Sequence, residues 1–247
     1  MANGLPNRER AHFPFSILRF PLLMKRFYDS TVGKKAIMAL TGLIGIGFVA
    51  LHVAGNLQAF AGRDKINGYS ALLHGPGAEL LLAVRLVLVL ALVLHLVMSW
   101  QVTQRARAAR PVGYEERDPQ VSTIASRTMG WGGVFLLAFI VFHLLHFTTR
   151  QLDPAGWANR ADAAGRYDIY GNMVASFQIP WVSTVYLVAM AFLGLHLWHG
   201  VWSFGRSLGV APVSAAPLRR PLAVAIAIAL WLGFSAVPIA VILGVLR

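Results

Sequence analysis

The chain of 247 residues contains no cysteine and little acid, with 10 Asp and Glu against 22 Lys and Arg. Without a thiol, disulfides, thiolate-ligated haem and Cys-bound iron–sulfur clusters are excluded within this subunit, so any such cluster belongs to a partner. Charge of either sign is scarce. Charged residues make up 13% of the chain against 57% hydrophobic, and mean hydropathy is +0.60, outside the usual range of soluble domains. The shortage is concentrated in apolar runs at 33–57, 78–102, 130–149, 181–205 and 222–244, each reaching the roughly 20 residues that cross about 30 Å of hydrocarbon. These runs predict an all-α membrane protein: one bundle of five transmembrane helices at 33–247, preceded by an N-terminal arm at 1–32.

The basic residues fall unevenly between loops. Arg8, Arg10, Arg19, Lys25, Arg26, Lys34 and Lys35 of the arm, Arg105, Arg107, Arg110, Arg117 and Arg127 of the second loop, and Arg206, Arg219 and Arg220 of the fourth share one side. The other side has Arg63, Lys65, Arg150, Arg160, Arg166 and Arg247. Because cytoplasmic loops collect Lys and Arg, the N-terminus is expected inside and the C-terminus outside. The formal charge of +12 is then largely a one-sided basic face, suited to anionic headgroups or an acidic partner surface, with no support for nucleic-acid binding. Pro14, Arg19 and Pro21 interrupt any signal-peptide core, and the segment is read as retained. Residues 11–30 alternate bulky apolar and basic groups, a composition that lies in the interface without spanning. The third loop, roughly 150–180, is long enough to cap the outer mouth of the bundle, and Gly209, Pro212, Pro217 and Pro221 punctuate a short fourth linker.

Four of the five runs carry histidine inside: His52, His95, the doublet His143/His146 and the doublet His196/His199. Ionisable groups at membrane depth are costly and mark function. At 1.5 Å per residue, His52 lies about 24 Å and His143 about 21 Å from the inner edge. Helices two and four run the other way, so His95, about 25 Å along, and His196, about 22 Å along, lie toward the inner surface. Depth thus sorts the histidines into two pairs on different helices, as needed to grip a flat macrocycle from both faces. An outer haem is expected between His52 and His143 and an inner one between His95 and His196. Zinc or copper is a poorer account, because neither pair brings a carboxylate or thiolate companion. The members of each doublet are i,i+3 neighbours on nearly one face, and depth alone does not separate them.

The local patterns GKKAIMALTG leading to ALHVAGN, then LALVLHLVMSW, RTMGWGG leading to FIVFHLLHF, and FLGLHLWHGVWSFGR carry a resemblance. Across all five spans the chain resembles the one-polypeptide, two-haem cytochrome b membrane anchor of succinate dehydrogenases and quinol:fumarate reductases, complex II of respiratory chains. In that family's fourth helix a glycine follows the ligand by four residues, then an aliphatic and an aromatic residue; His196, Gly200, Val201 and Trp202 match. In the third helix the ligand precedes two apolar residues, as His143 precedes Leu144 and Leu145. The resemblance therefore implies His52, His143, His95 and His196 as ligands of two haem b irons. It also implies an electron-transfer and quinone-reactive subunit in a bacterial inner (cytoplasmic) membrane, anchoring an iron–sulfur subunit and a flavoprotein. Menaquinone is the expected quinone, and a higher oligomer of the complex is compatible with it. The dicarboxylate chemistry of the tricarboxylic acid cycle step falls on the partners.

His74, Glu79 and Arg85 near the outer end of helix two are candidate proton carriers, with a haem propionate, the headgroups or Glu79 as alternative partners of Arg85. His74 and Gly75-Pro76-Gly77 also read as a simple turn before helix two, and Gly42, Gly45 and Gly47 as room for a neighbour or a porphyrin edge. Some family members carry a glutamate two residues before the fourth-helix ligand for transmembrane proton movement. Here that position is Gly194, so the route is not inferred. The alternatives are a haem-b anchor of another respiratory oxidoreductase, such as a formate dehydrogenase or nitrate reductase, and a non-haem scaffold or transporter.

Overall fold

A computed structural model describes residues 19–110, 123–157, 159–210 and 216–247. Among these the regular structure is helical: α1 (Arg19–Asp29), α2 (Thr31–Asn56), α3 (Arg63–His74), α4 (Ala78–Ala108), α5 (Ile124–His143), α6 (Ile169–Phe177), α7 (Pro180–Ser207) and α8 (Ala216–Ile242). A 3₁₀ turn, Leu57–Ala61, extends α2, and a π turn, Leu144–Thr148, extends α5. Five stretches are long and apolar enough to cross a membrane: Thr31–Ala61, Ala78–Ala108, Ile124–Thr148, Pro180–Ser207 and Leu218–Ile242. Large apolar side chains face outward along them, Leu86 at 64% exposure and Trp131 at 84%, as a lipid-facing surface requires. The protein is therefore read as a multi-pass membrane protein.

The helices overrun the apolar runs because their ends are set by caps. Helix α5 begins six residues before the expected 130, where Thr123 and Ser126 form a capping box. Helix α8 begins at Ala216 and takes in Pro217 and Pro221, which were expected in a linker; Pro217 fits the first turn, whose amides have no helical partner, whereas Pro221 lies inside the helix and forgoes one bond. Pro212 and the N-terminal arm up to 18 lie outside the described residues. The remainder of the arm is the amphipathic α1, packed on α2.

Helix α2 is the hub, packing on α4, α7 and α8, while α5 packs on α7 and α7 on α8. Close approach is permitted by glycine: a Cβ on Gly132 would sit 3.1 Å from the Phe192 ring, and one on Gly233 would sit 2.7 Å from Val53. Neither α2 with α5 nor α4 with α7 is a packed pair of backbones, although side chains meet across both gaps.

The two ends of the bundle differ. One end carries α3, α6 and the segment 149–168, and is termed the capped end. There Asn67 and Asp168, almost wholly buried, tie the pieces together. The Asn67 amide donates to Asp162 and Asp168, each at 3.0 Å, and its carbonyl accepts from the Tyr170 amide at 3.0 Å. Asp168 caps α6 by accepting from Gly171 and takes a further bond from the Trp157 indole. Arg166 bridges Asp64 and Asp162 at 2.7 Å each, and its guanidinium holds the Asp162 carboxyl down to about 2. The Tyr167 phenol is pushed up by burial. The long third loop expected to cap one mouth thus contains a helix and a polar core of its own.

The other end is basic. The Lys34 ammonium is buried, donates to Gln101 and lies 4.0 Å over the Tyr28 ring, which fastens α1, α2 and α4 together. Arg105 donates to the Asp29 carbonyl at 2.7 Å, and Arg206 and Arg220 lie 6.0 and 4.9 Å from the Trp202 ring.

Candidate functional site

The histidines expected to pair do meet. The rings of His52 on α2 and His143 on α5 have centroids 5.8 Å apart, and those of His95 on α4 and His196 on α7 are 6.2 Å apart. The first pair lies toward the capped end and the second toward the basic end. Tyr186, which touches His143, and His196 are ten residues apart on α7, so the two levels are separated by about 15 Å along the helix.

The spacing suits an iron gripped from both sides. Two metal–nitrogen bonds of about 2 Å, with roughly 1 Å more from each nitrogen to its ring centre, place imidazole centroids about 6 Å apart. Both pairs bridge helices that are not closely packed on each other, and a Cβ on Gly45 or Gly47 of α2 would meet nothing within 4 Å. The donors come as pairs. Among the described residues no group of three or more His, Cys, Asp or Glu side chains gathers as an ion site of the zinc type requires.

Hydrogen bonding fixes which nitrogen of His95 is free. Its Nδ1 lies 3.0 Å from the Met38 carbonyl, which only accepts, so Nδ1 carries the proton and Nε2 keeps its lone pair. The Thr41 hydroxyl, 3.2 Å from the same Nδ1, donates to the helix carbonyls of Ile37 and Met38 and presents oxygen to the ring. A Cβ on Gly42 would lie 3.4 Å from His95 Cε1, so glycine leaves the ring its place on α2. Opposite, Nδ1 of His196 is buried without a hydrogen-bond partner.

The doublet on α5 separates by environment. His146, in the π turn, is 1% exposed and uses both ring nitrogens within the protein: Nδ1 lies 3.0 Å from the Tyr186 hydroxyl and Nε2 lies 3.1 Å from the Ser176 hydroxyl. His143 uses Nδ1 alone, at 3.2 Å from Tyr186. The π turn breaks the i,i+3 equivalence assumed from a continuous α-helix, and such turns recur at functional sites. His52 stacks on Phe48 at 5.3 Å with an interplanar angle of 11° and lies 5.6 Å from the Phe234 ring.

The remaining candidates fall outside these pairs. His74 closes α3, its Nδ1 2.9 Å from the Ser70 carbonyl and its Nε2 3.4 Å from Arg85. Arg85 thus finds His74, a partner not anticipated, while Glu79 lies exposed in the first turn of α4. Gly75–Gly77 form the turn between α3 and α4. Gly194 packs toward Trp231 of α8, 3.5 Å from where a Cβ would stand. Tyr186, Ser176, Asn172 and the Met38 carbonyl were not anticipated. Of these only Asn172 and Ser176 carried a local signal, an i,i+4 polar pair on a short apolar segment.

Comparison with protein-family models, curated proteins and solved structures finds no match to this chain in any of the three.

Proposed function

We propose that this chain is the di-haem cytochrome b membrane anchor of a succinate dehydrogenase or quinol:fumarate reductase. The observation that carries the reading is the meeting of two histidine pairs, His52 with His143 and His95 with His196, at two levels of a five-helix bundle. The order of local patterns around those histidines supports the particular family.

In this reading the four imidazoles would hold two haem irons, one pair to each. The Met38 carbonyl holds His95 with Nε2 available, and the apolar helices around both pairs exclude water and set a low dielectric. Haem b, when bound, supplies reversible one-electron chemistry. By the distribution of Lys and Arg, the basic end faces the cytoplasm. Its exposed arginines, Arg105, Arg206 and Arg220, then line the side on which an iron–sulfur subunit and a flavoprotein dock, with membrane lipid around the bundle. The chain carries electrons between that iron–sulfur subunit and a quinone, menaquinone in the expectation drawn from the resemblance. Succinate and fumarate bind on the partners and not on this chain.

The test is to purify the tagged chain from its native membrane with associated subunits and record the haem absorption before and after adding succinate. The proposal expects bound flavin and haem reduced by succinate or reoxidised by fumarate. A preparation rich in haem but without flavin and indifferent to both acids contradicts the complex II assignment, and points to an anchor of another respiratory oxidoreductase.

A further inference from the structure

The two proposed ligand pairs are oriented by different means, and the difference exposes a residue for which no role has yet been assigned. Helix α7 places the Tyr186 hydroxyl between two imidazoles, 3.2 Å from His143 Nδ1 and 3.0 Å from His146 Nδ1. The hydroxyl has one proton, so it donates to one ring and accepts from the other. Which way it points decides whether His143 can bind a metal through Nε2.

One direction runs consistently through the capped end. Asn172 on α6 donates its amide to the Tyr167 hydroxyl at 2.8 Å, which turns its carbonyl oxygen toward Ser176. Ser176 donates its single proton to that oxygen at 3.2 Å, so its own oxygen accepts from His146 Nε2 at 3.1 Å. A neutral imidazole has one N–H. With it spent on Ser176, His146 Nδ1 is an acceptor and takes the Tyr186 proton. The Tyr186 oxygen then accepts from His143 Nδ1–H. The lone pair of His143 is left on Nε2.

We infer that Tyr186 is a positioning residue for His143, and that the chain Asn172, Ser176, His146, Tyr186 holds His143 in the tautomer whose Nε2 ligates. The inference rests on the proposed haem site. It accounts for a buried second histidine that is not itself a ligand, and for a short helix that is wholly packed against the bundle at that level. Every member of the chain is buried, so water does not compete for these bonds: His146 is 1%, Ser176 0%, Asn172 1% and Tyr186 7% exposed. Among the described residues the basic-end pair has no such chain, and His95 is fixed directly by a helix carbonyl.

An imidazole that gives its outer N–H to an acceptor is a stronger donor to iron and favours the oxidised metal. Tyr186→Phe removes that acceptor while keeping the ring that packs against Phe139 and Phe177. Potentiometry of the two haems in the purified wild-type complex and in Y186F is the test. The expected result is a midpoint raised for the capped-end haem and unmoved for the basic-end haem, both haems being bound. Loss of the capped-end haem alone from Y186F carries the same meaning. In that event Ser176→Ala, which leaves the phenol in place but frees its direction, is expected to show a smaller rise confined to the same haem. Two bound haems with unchanged potentials in both variants, or equal shifts of both haems, overturn the inference and leave the haem assignment standing. A wild-type complex without haem overturns the assignment and the inference together.

Discussion

The capped and basic ends of the bundle solve one problem in two ways. At the basic end His95 is held by a carbonyl from the neighbouring helix, an arrangement that needs only α2 and α4 to pack at the right register. At the capped end His143 is held through side chains of α5, α6 and α7, and those depend on the Asn67, Asp162 and Asp168 network that fastens α6 in place. A site built on backbone survives most substitutions around it. A site built on a chain of side chains inherits the stability of every element in the chain.

The largest effects are expected at the four histidines proposed as ligands. His95→Ala removes the basic-end haem and leaves the capped-end haem at least partly assembled, read as the loss of one of two low-spin haems in the reduced-minus-oxidised spectrum. His143→Ala gives the converse. Unchanged haem content in either variant breaks the pairing.

Next comes the cap. Asp168→Ala removes one of the two acceptors of the Asn67 amide and leaves the indole of Trp157 and the first turn of α6 without theirs, at a cost of about 2–4 kcal/mol. Thermal unfolding of the purified protein should move to lower temperature, and the capped-end haem should be lost before the basic-end one. Simultaneous loss of both contradicts the separation of the two ends.

His146→Ala takes one of two partners from each of the buried Tyr186 and Ser176 hydroxyls, a loss of roughly 1–3 kcal/mol, yet retains both haems. Loss of a haem on the scale of His143→Ala would show that the ligand of the doublet had been assigned to the wrong member.

The smallest effect concerns pH. Asp162 is held down to about 2 by Arg166, below its ordinary value near 4, so the folded state binds fewer protons than the unfolded one in that interval. The contribution is complete above about pH 4 and is lost as pH falls through about 2. Protection of the amides at 160–168, taken relative to intrinsic exchange at each pH, should fall across that window in the wild type, and Asp162→Asn should flatten that dependence.

Much of this architecture was legible before any coordinates. Five apolar runs located five helices, because length and hydropathy are dictated by bilayer thickness. The rise of a helix was enough to match His52 with His143 and His95 with His196, since spans one and three run in one direction and spans two and four in the other, so equal distances along each pair are equal depths. The ends were less legible. The Thr123 capping box and the prolines tolerated in α8 extended helices past their hydrophobic limits, and α3 and α6 are too short and too polar for hydropathy to reveal. Least legible was the surrounding of each imidazole. The Met38 carbonyl is a backbone group with no sequence signature, and Tyr186 is one of many aromatics until its hydroxyl is found between two rings. The π turn after His143 likewise separated two histidines that an ideal helix makes equivalent.

The central claim is that four histidines on four helices hold two haems. It is tested most directly by a dithionite-reduced minus oxidised spectrum of the purified protein, with pyridine haemochrome quantitation of haem per chain. The account predicts two b-type haems per chain. One haem would contradict one of the two pairs, and a folded protein without haem would contradict both and return the bundle to the class of membrane scaffolds and transporters.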